Sequence, residues 1–369
     1  MPELYIGLMS GTSLDGVDGV LADFEGGGLR VLAHAGAPFD PRLKAELLAL
    51  NRAGPDEIHR SQLAANALMR VYAQVVRELL ARAGLQAGDV RAIGAHGQTV
   101  RHRPQAFDGT GYTVQLAQPA LLAELAGIEV VADFRSRDVA AGGQGAPLAP
   151  FFHRALFARA GEAVGVLNIG GMSNLTVLRA DGSQLGFDCG PGNALMDGWC
   201  QRHTGQAYDD QGAWAAGAPP DAALLQALLA EPFFAMAPPK STGRDLFDAP
   251  WLDRLLQPFG GLAPQQVQAT LAELTAASCA QDVQRHAPDL PRLIVCGGGA
   301  LNAHLMRRLQ DLLPATRVLS SDDAGLPPLQ VEAAAFAWLA RKAVRREPLA
   351  LESTTGARGA RVLGGIWPA

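Results

Sequence analysis

The chain has 369 residues, of which 48% are hydrophobic and 18% charged, with a formal net charge of -5. That length suits two domains with separate cores, and the composition is that of a packed protein, not a disordered one. The acidic balance without a Lys/Arg cluster argues against a nucleic-acid surface, no apolar run reaches the length of a bilayer span, and no leader pattern precedes the first strand, so a cytoplasmic protein without a membrane partner is expected.

In chain order, residues 4–22 are an apolar strand, a turn rich in Gly, Ser, Thr and Asp, and a second apolar strand. Gly11 and Gly16 allow backbone conformations closed to other residues, and the hydroxyls of Ser10, Thr12 and Ser13 beside the exposed N–H groups of the turn, which includes Leu14 and Val17, can form an anion site without a lysine. Asp15 and Asp18 would repel phosphate unless a magnesium ion lies between them, held directly or through water. The competing reading is an ordinary hairpin, because Asp-Gly pairs favour turns between apolar strands. Residues 29–37 supply a third strand, and Leu68, Val71, Tyr72, Val75 and Leu79 fall on one face of a helix spanning 57–83.

A short strand at 90–95 leads into Gly94-Ala95-His96-Gly97-Gln98-Thr99. His96 is placed either to reach a ligand or to satisfy loop carbonyls. After a helix at 118–126 and a strand at 129–132, Arg135 and Arg137 sit where a guanidinium can fork onto an anion, or pair internally with Asp133 and Asp138. Residues 139–150 are glycine-dense and aperiodic, and read as the crossover between domains.

Residues 163–181 repeat the opening pattern of strand, Gly/Ser turn, strand and Asp, with Gly170 and Gly171 in the turn, which suggests a duplicated domain. Asp188 follows at the end of a strand beside a helix N-terminus. It is placed either as a general base or as a helix cap, with Asn193 the better cap. Lys240 and Arg244 lie in a polar loop, as phosphate or substrate contacts or as solvated lid charges. A packed helix is expected over 263–286. Gly297, Gly298 and Gly299 between a strand and a helix would let a flat ligand lie against bare backbone. Glu332 shares a helix face with Ala335, Phe336 and Leu339, either as a first-turn acid favoured by the helix dipole or as a substrate contact. The four cysteines form no C-x-x-C pair and are expected as buried thiols.

Taken together, Gly7 to Asp18, Gly94 to Thr99, Val130 to Arg135, Asn168 to Gly171, Gly186 to Asn193, Lys240 to Arg244 and Cys296 to Gly299 resemble the anhydro-N-acetylmuramic acid kinases of bacterial cell-wall recycling. The resemblance implies an α/β fold of two duplicated actin-like ATPase domains, with mixed sheets flanked by helices, around a central cleft. The boundaries drawn are 1–138 and 139–369, the last helix packing back on the first domain. It also implies ATP and magnesium, a small amino-sugar substrate and a homodimer. The nucleotide would lie against Gly11 to Asp18, Gly170, Gly171 and Gly297 to Gly299. Glu332, Arg135, His96 and Gln98 would serve the sugar, and Asp188 would act as general base. The rival readings are a kinase of the same superfamily acting on another small sugar or carboxylate, and an ATP-gated binding protein.

Overall fold

The computed structural model describes residues 2–11, 14–243 and 246–369. Thr12, Ser13 and Arg244, singled out above, lie outside the described residues. The chain forms two compact units, Met1–Leu156 with Leu329–Ala369, and Phe157–Pro328.

The first unit opens with the antiparallel strands β1 (Leu4–Met9), β2 (Gly16–Asp23) and β3 (Arg30–Pro38). Helix α1 (Pro41–Ala49) starts at Asp40, whose side chain accepts from the N–H groups of Arg42 and Leu43. Helix α2 (Glu57–Ala83) buries Leu68, Tyr72, Val75 and Leu79, as its spacing predicts, and stops at Gly84 in the left-handed region. Strand β4 (Ala92–Ala95) is followed by the ribbon β5 (Gln98–Pro104) and β6 (Gly111–Leu116), then α3 (Pro119–Ala126), β7 (Val130–Ala132), α4 (Ser136–Ala140) and α5 (Ala149–Phe157). The sequence pattern had not revealed the ribbon.

The second unit begins with the antiparallel strands β8 (Val164–Ile169), β9 (Met172–Leu178) and β10 (Gln184–Pro191). Helices α6 (Asn193–Thr204), α7 (Ala222–Leu229), α8 (Ala249–Leu256) and α9 (Pro264–His286) precede β11 (Arg292–Cys296), α10 (Ala303–Leu312) and β12 (Arg317–Ser320). The chain then returns to the first unit as α11 (Val331–Val344), α12 (Glu352–Thr355) and β13 (Gly365–Trp367).

Among the described residues the two main sheets share one topology. Their strand orders are β3-β2-β1-β4-β7 and β10-β9-β8-β11-β12, with β13 added antiparallel at the free edge of β7. In each, the first three strands form a meander and the last two run parallel to the first. Both sheets are mixed and flanked by helices, so the α/β class that the resemblance implies is observed.

Residues 139–150, read from sequence as a crossover, are tied into the first unit. The buried Asp138 carboxylate accepts from Gly145 N–H at 2.6 Å and from Thr355 Oγ1 at 2.6 Å, and Gln144 N–H donates to Thr355 O. The first-unit sheet is also marked by Gly7 and its cross-strand partner Gly94. A Cβ there would stand 1.8 Å from Ala333 O and 2.0 Å from Phe336 O, so α11 can lie on the sheet only because both are glycine.

Candidate active site

Two clusters carry the chemistry-bearing residues, one in each unit. In the first unit, the chain leaves β1 at Ser10 and turns at Gly11. Ser10 is buried, and its hydroxyl donates to Gly97 O and meets the Tyr72 hydroxyl at 3.0 Å. Gln98 Nε2 donates to Gly11 O at 3.1 Å. Leu14 takes a positive φ of 57° as it closes the turn with a hydrogen bond back to Gly11 O.

His96 links this turn to Arg135. Its Nδ1 lies 3.2 Å from Ser10 O, and its Nε2 faces Arg135 Nε at 3.3 Å and Nη2 at 3.0 Å. A guanidinium only donates, so Nε2 is the acceptor and the proton sits on Nδ1, donated to Ser10 O. Burial, and then the Arg135 charge, lowers the His96 pKa to about 3, so the ring is neutral. Arg135 Nη1 donates to Gly145 O at 2.8 Å. His96 also packs on Phe336, one helical turn beyond Glu332 on α11. The first unit thus brings together His96, Gln98, Arg135 and the start of the helix that carries Glu332. His96 and Gln98 are bonded to the carbonyls of the turn itself.

Asp15 and Asp18 are exposed side chains. Asp15 Oδ1 is 3.1 Å from Lys44 Nζ, its side chain 73% exposed, and Asp18 Oδ1 is 3.6 Å from His34 Nε2. Among the described residues no group of three or more His, Cys, Asp or Glu side chains converges in a metal-holding arrangement.

In the second unit the β8–β9 turn is Gly170-Gly171, and its carbonyls are fastened to the start of α6. Asn193 N–H donates to Gly170 O at 2.8 Å, Gly192 N–H to Gly171 O at 2.9 Å, and Asn193 Nδ2 to Ile169 O at 3.2 Å. Gly192 is the residue that precedes the helix and no side chain caps it, so neither Asn193 nor Asp188 is a cap. A Cβ on Gly192 would meet Gly170 O at 2.3 Å. Glycines at 297 and 299 are required for a similar reason: a Cβ would come within 2.5 Å of Asn168 Oδ1 and 2.4 Å of Ile169 Cγ2. Their lack of a side chain lets β11 pass close against β8 within the protein.

Asp188 sits on β10 at a bulge, where the register with β9 shifts between Asp188 and Gly190. A bulge re-aims the side chains on either side of it. The half-buried carboxylate accepts from Thr242 N–H through Oδ2 at 2.9 Å, and the Asp188 N–H donates to Lys240 O at 3.1 Å. Lys240 is neither a surface charge nor an open phosphate ligand, because its side chain is completely buried against Asp282 of α9. The sequence did carry a signal for that pair. Asp282 falls on a helix whose neighbouring positions are almost all apolar, where a carboxylate needs a cation.

A family model described as anhydro-N-acetylmuramic acid kinase matches residues 3–369. An anhydro-N-acetylmuramic acid kinase of Variovorax paradoxus is 63% identical over 372 residues, covering 100% of this chain and 99% of its own. That of Albidiferax ferrireducens is 61% identical over 389 residues, covering both chains completely. Among solved structures, component A of (R)-2-hydroxyglutaryl-CoA dehydratase from Acidaminococcus fermentans is similar at 12% identity and a TM-score of 0.48, covering 91% of this chain and 96% of that one. With the family model and full-length relatives in agreement, the chain belongs to the anhydro-N-acetylmuramic acid kinase family.

Proposed function

We propose that this enzyme opens the 1,6-anhydro ring of anhydro-N-acetylmuramic acid with water and transfers the γ-phosphoryl group of ATP to the released O6. In that substrate O6 is already bonded to C1, so no free 6-hydroxyl exists to be phosphorylated. Water oxygen bonds to C1 as the C1–O6 bond breaks, and O6 bonds to the γ-phosphorus as the bond to the departing ADP oxygen breaks. The products are N-acetylmuramic acid 6-phosphate and ADP, with the water proton passing to a base.

Asp188 is the residue we assign as that base. The observation that carries the assignment is its carboxylate, placed at a strand bulge and fixed through Oδ2 by the Thr242 N–H. The backbone N–H holds the carboxylate aimed, as a base on the water side of C1 must be. The Gly11 to Asp18 turn, with Gly170, Gly171 and the Gly297 to Gly299 segment, is proposed for the nucleotide. Phosphoryl transfer depends mainly on positioned donors and charge stabilisation, which backbone N–H groups can supply. Arg135 and Glu332 are proposed for the polar groups of the sugar, with His96 and Gln98 fixing the turn that precedes Thr12.

Asp15 and Asp18 fit a magnesium site by chemistry. Both offer hard oxygen donors, and the exposed Asp15 carboxylate pairs with a surface ammonium. Magnesium bound with ATP would neutralise phosphate charge, keeping most of its ligands as water and phosphate oxygens. A cytoplasmic homodimer completes the reading taken from the resemblance.

Asp188→Asn tests the assignment. General-base assistance is worth about 10² to 10⁴ in rate, so kcat should fall by that factor while both substrates still bind. Heavy-oxygen-labelled water should place its oxygen at C1 of the product formed by the wild-type enzyme. Wild-type turnover in Asp188→Asn, or label absent from C1, would overturn the reading.

A further inference from the structure

Lys240 and Asp282 form a buried ion pair that the reaction as written does not use. Their side chains are 0% and 3% exposed, with Lys240 Nζ 3.0 Å from Asp282 Oδ2 and donating to Oδ1 at 3.2 Å. The ammonium also stands over two rings, 5.6 Å from the centroid of Phe187 and 4.9 Å from that of Phe233. Arg285 and His286, on the same helix as Asp282, approach its Oδ1 at 3.8 and 3.9 Å.

An apolar side chain would fill this slot without desolvating a charge. Replacing a buried ion pair by apolar residues of similar volume is often neutral or stabilising, so packing alone does not call for lysine and aspartate here. An ion pair adds direction. A Met or Leu can slide in an apolar slot, whereas an ammonium on a single carboxylate fixes how deep its own backbone lies.

That backbone holds Asp188 at two points. Lys240 O accepts the Asp188 N–H, and two residues later the Thr242 N–H donates to the Asp188 carboxylate. Phe187, one of the rings under the ammonium, is the residue immediately before Asp188 on β10. We infer that Lys240, anchored on Asp282, is a positioning residue for Asp188: the buried pair sets the height of the 240–242 backbone and so the aim of the carboxylate. This rests on Asp188 being the base.

The test compares three variants by thermal unfolding and steady-state kinetics in both substrates. Lys240→Met/Asp282→Leu removes both charges and keeps the slot filled. It should unfold near the wild-type temperature and hold both KM values within about threefold. Its kcat should fall about 10- to 100-fold, the cost of a small misplacement of a reacting group. Asp282→Asn, which keeps the shape and a hydrogen-bonding partner, should show the same split at a smaller loss of several fold, and it decides the matter if the double variant does not fold. Asp188→Asn separates the two ideas. If it loses activity while the folded double variant, or Asp282→Asn in its place, turns over at the wild-type rate, the base stands and the positioning role is overturned. If Asp188→Asn itself turns over normally, the base assignment falls first.

Discussion

The first two strands of the first unit are joined by residues 10–15, and those of the second by Gly170-Gly171 alone. Counted from the strand ends, the residue after β4 is His96 and the corresponding residue after β11 is Gly297. The longer turn turns its Ser10 carbonyl inward and needs a side chain to meet it, and His96 Nδ1 does so at 3.2 Å. The short turn leaves no room: at 297 even a methyl group would strike Asn168 and Ile169. The third strands differ too. Strand β10 bulges beside Asp188, three residues before its end, while β3 pairs without a break from Ala33 to Pro38. One topology, used twice, thus presents a longer turn propped by His96 in one unit and a tight turn with a re-aimed carboxylate in the other.

The largest effect expected on stability comes from exchanging the packing styles of the two sheets. Gly7 of β1 and Leu167 of β8 stand at matching places, two residues before the end of each first strand. Gly7→Ala drives a methyl into the α11 backbone, which cannot move aside like a side chain. A loss of about 3 kcal/mol or more is expected, the upper range for overpacking. Leu167→Ala opens a cavity in a core that includes Leu271, Leu274 and Val295, at a cost of about 2–5 kcal/mol. Denaturant unfolding of both variants checks this. A tolerated Gly7→Ala would mean that α11 does not depend on the bare backbone beneath it.

How much of this could be read from the chain depended on whether a residue's partner was local. The β1 and β8 hairpins, the α2 stripe and the echo between the two turns are set by near neighbours in sequence, and all were legible. The partners of Gly7 are some 330 residues away, so nothing beside it in the chain indicates why it must be small. For Lys240 the polar loop leaves a phosphate or substrate contact and a solvated charge equally open, and the placement of Asp282 on an almost wholly buried helix points to neither. Asp188 was legible as a candidate through its Gly-rich surroundings, but the N–H that holds it comes from residue 242, beyond any local pattern. The glycines at 297–299 suggested ligand space, whereas two of them are packed against β8.

The histidine that props the longer turn should make stability depend on acidity. Unfolded, His96 titrates near 6.5, and folded it does so at about 3. Below about pH 6.5 the unfolded chain takes up the proton and the folded one does not, so this group destabilises the fold as pH falls towards 3. The slope approaches about 1.4 kcal/mol per pH unit once the unfolded histidine is mostly protonated. His153, also lowered to about 3 by burial, adds a contribution of the same sign. Asp138, raised by burial, acts in the opposite sense at the acid end, because its folded form binds a proton first. Comparing wild type with His96→Asn isolates the single group. Between pH 6 and 4.5 the variant's unfolding free energy should fall less steeply by about one proton's worth of slope. Parallel slopes would show that His96 is not held neutral.

The smallest effect belongs to the outer face of the same turn. The Asp15–Lys44 pair is exposed on both sides, at 73% and 49%, and such pairs are worth at most about 1 kcal/mol. Lys44→Ala should therefore change stability by less than about 0.5 kcal/mol. Its effect on magnesium has a definite sign. On the magnesium role proposed for Asp15, Lys44 would compete with the cation for that carboxylate, so removing it should leave the magnesium concentration for half-maximal activity unchanged or lower, while Asp15→Asn should raise it. A rise in both variants would indicate that Lys44 supports the turn instead of competing there, and a large loss of stability in Lys44→Ala would move Asp15 from the nucleotide to the scaffold. The described contacts that hold the first unit's turn include those at Ser10 and Gly11.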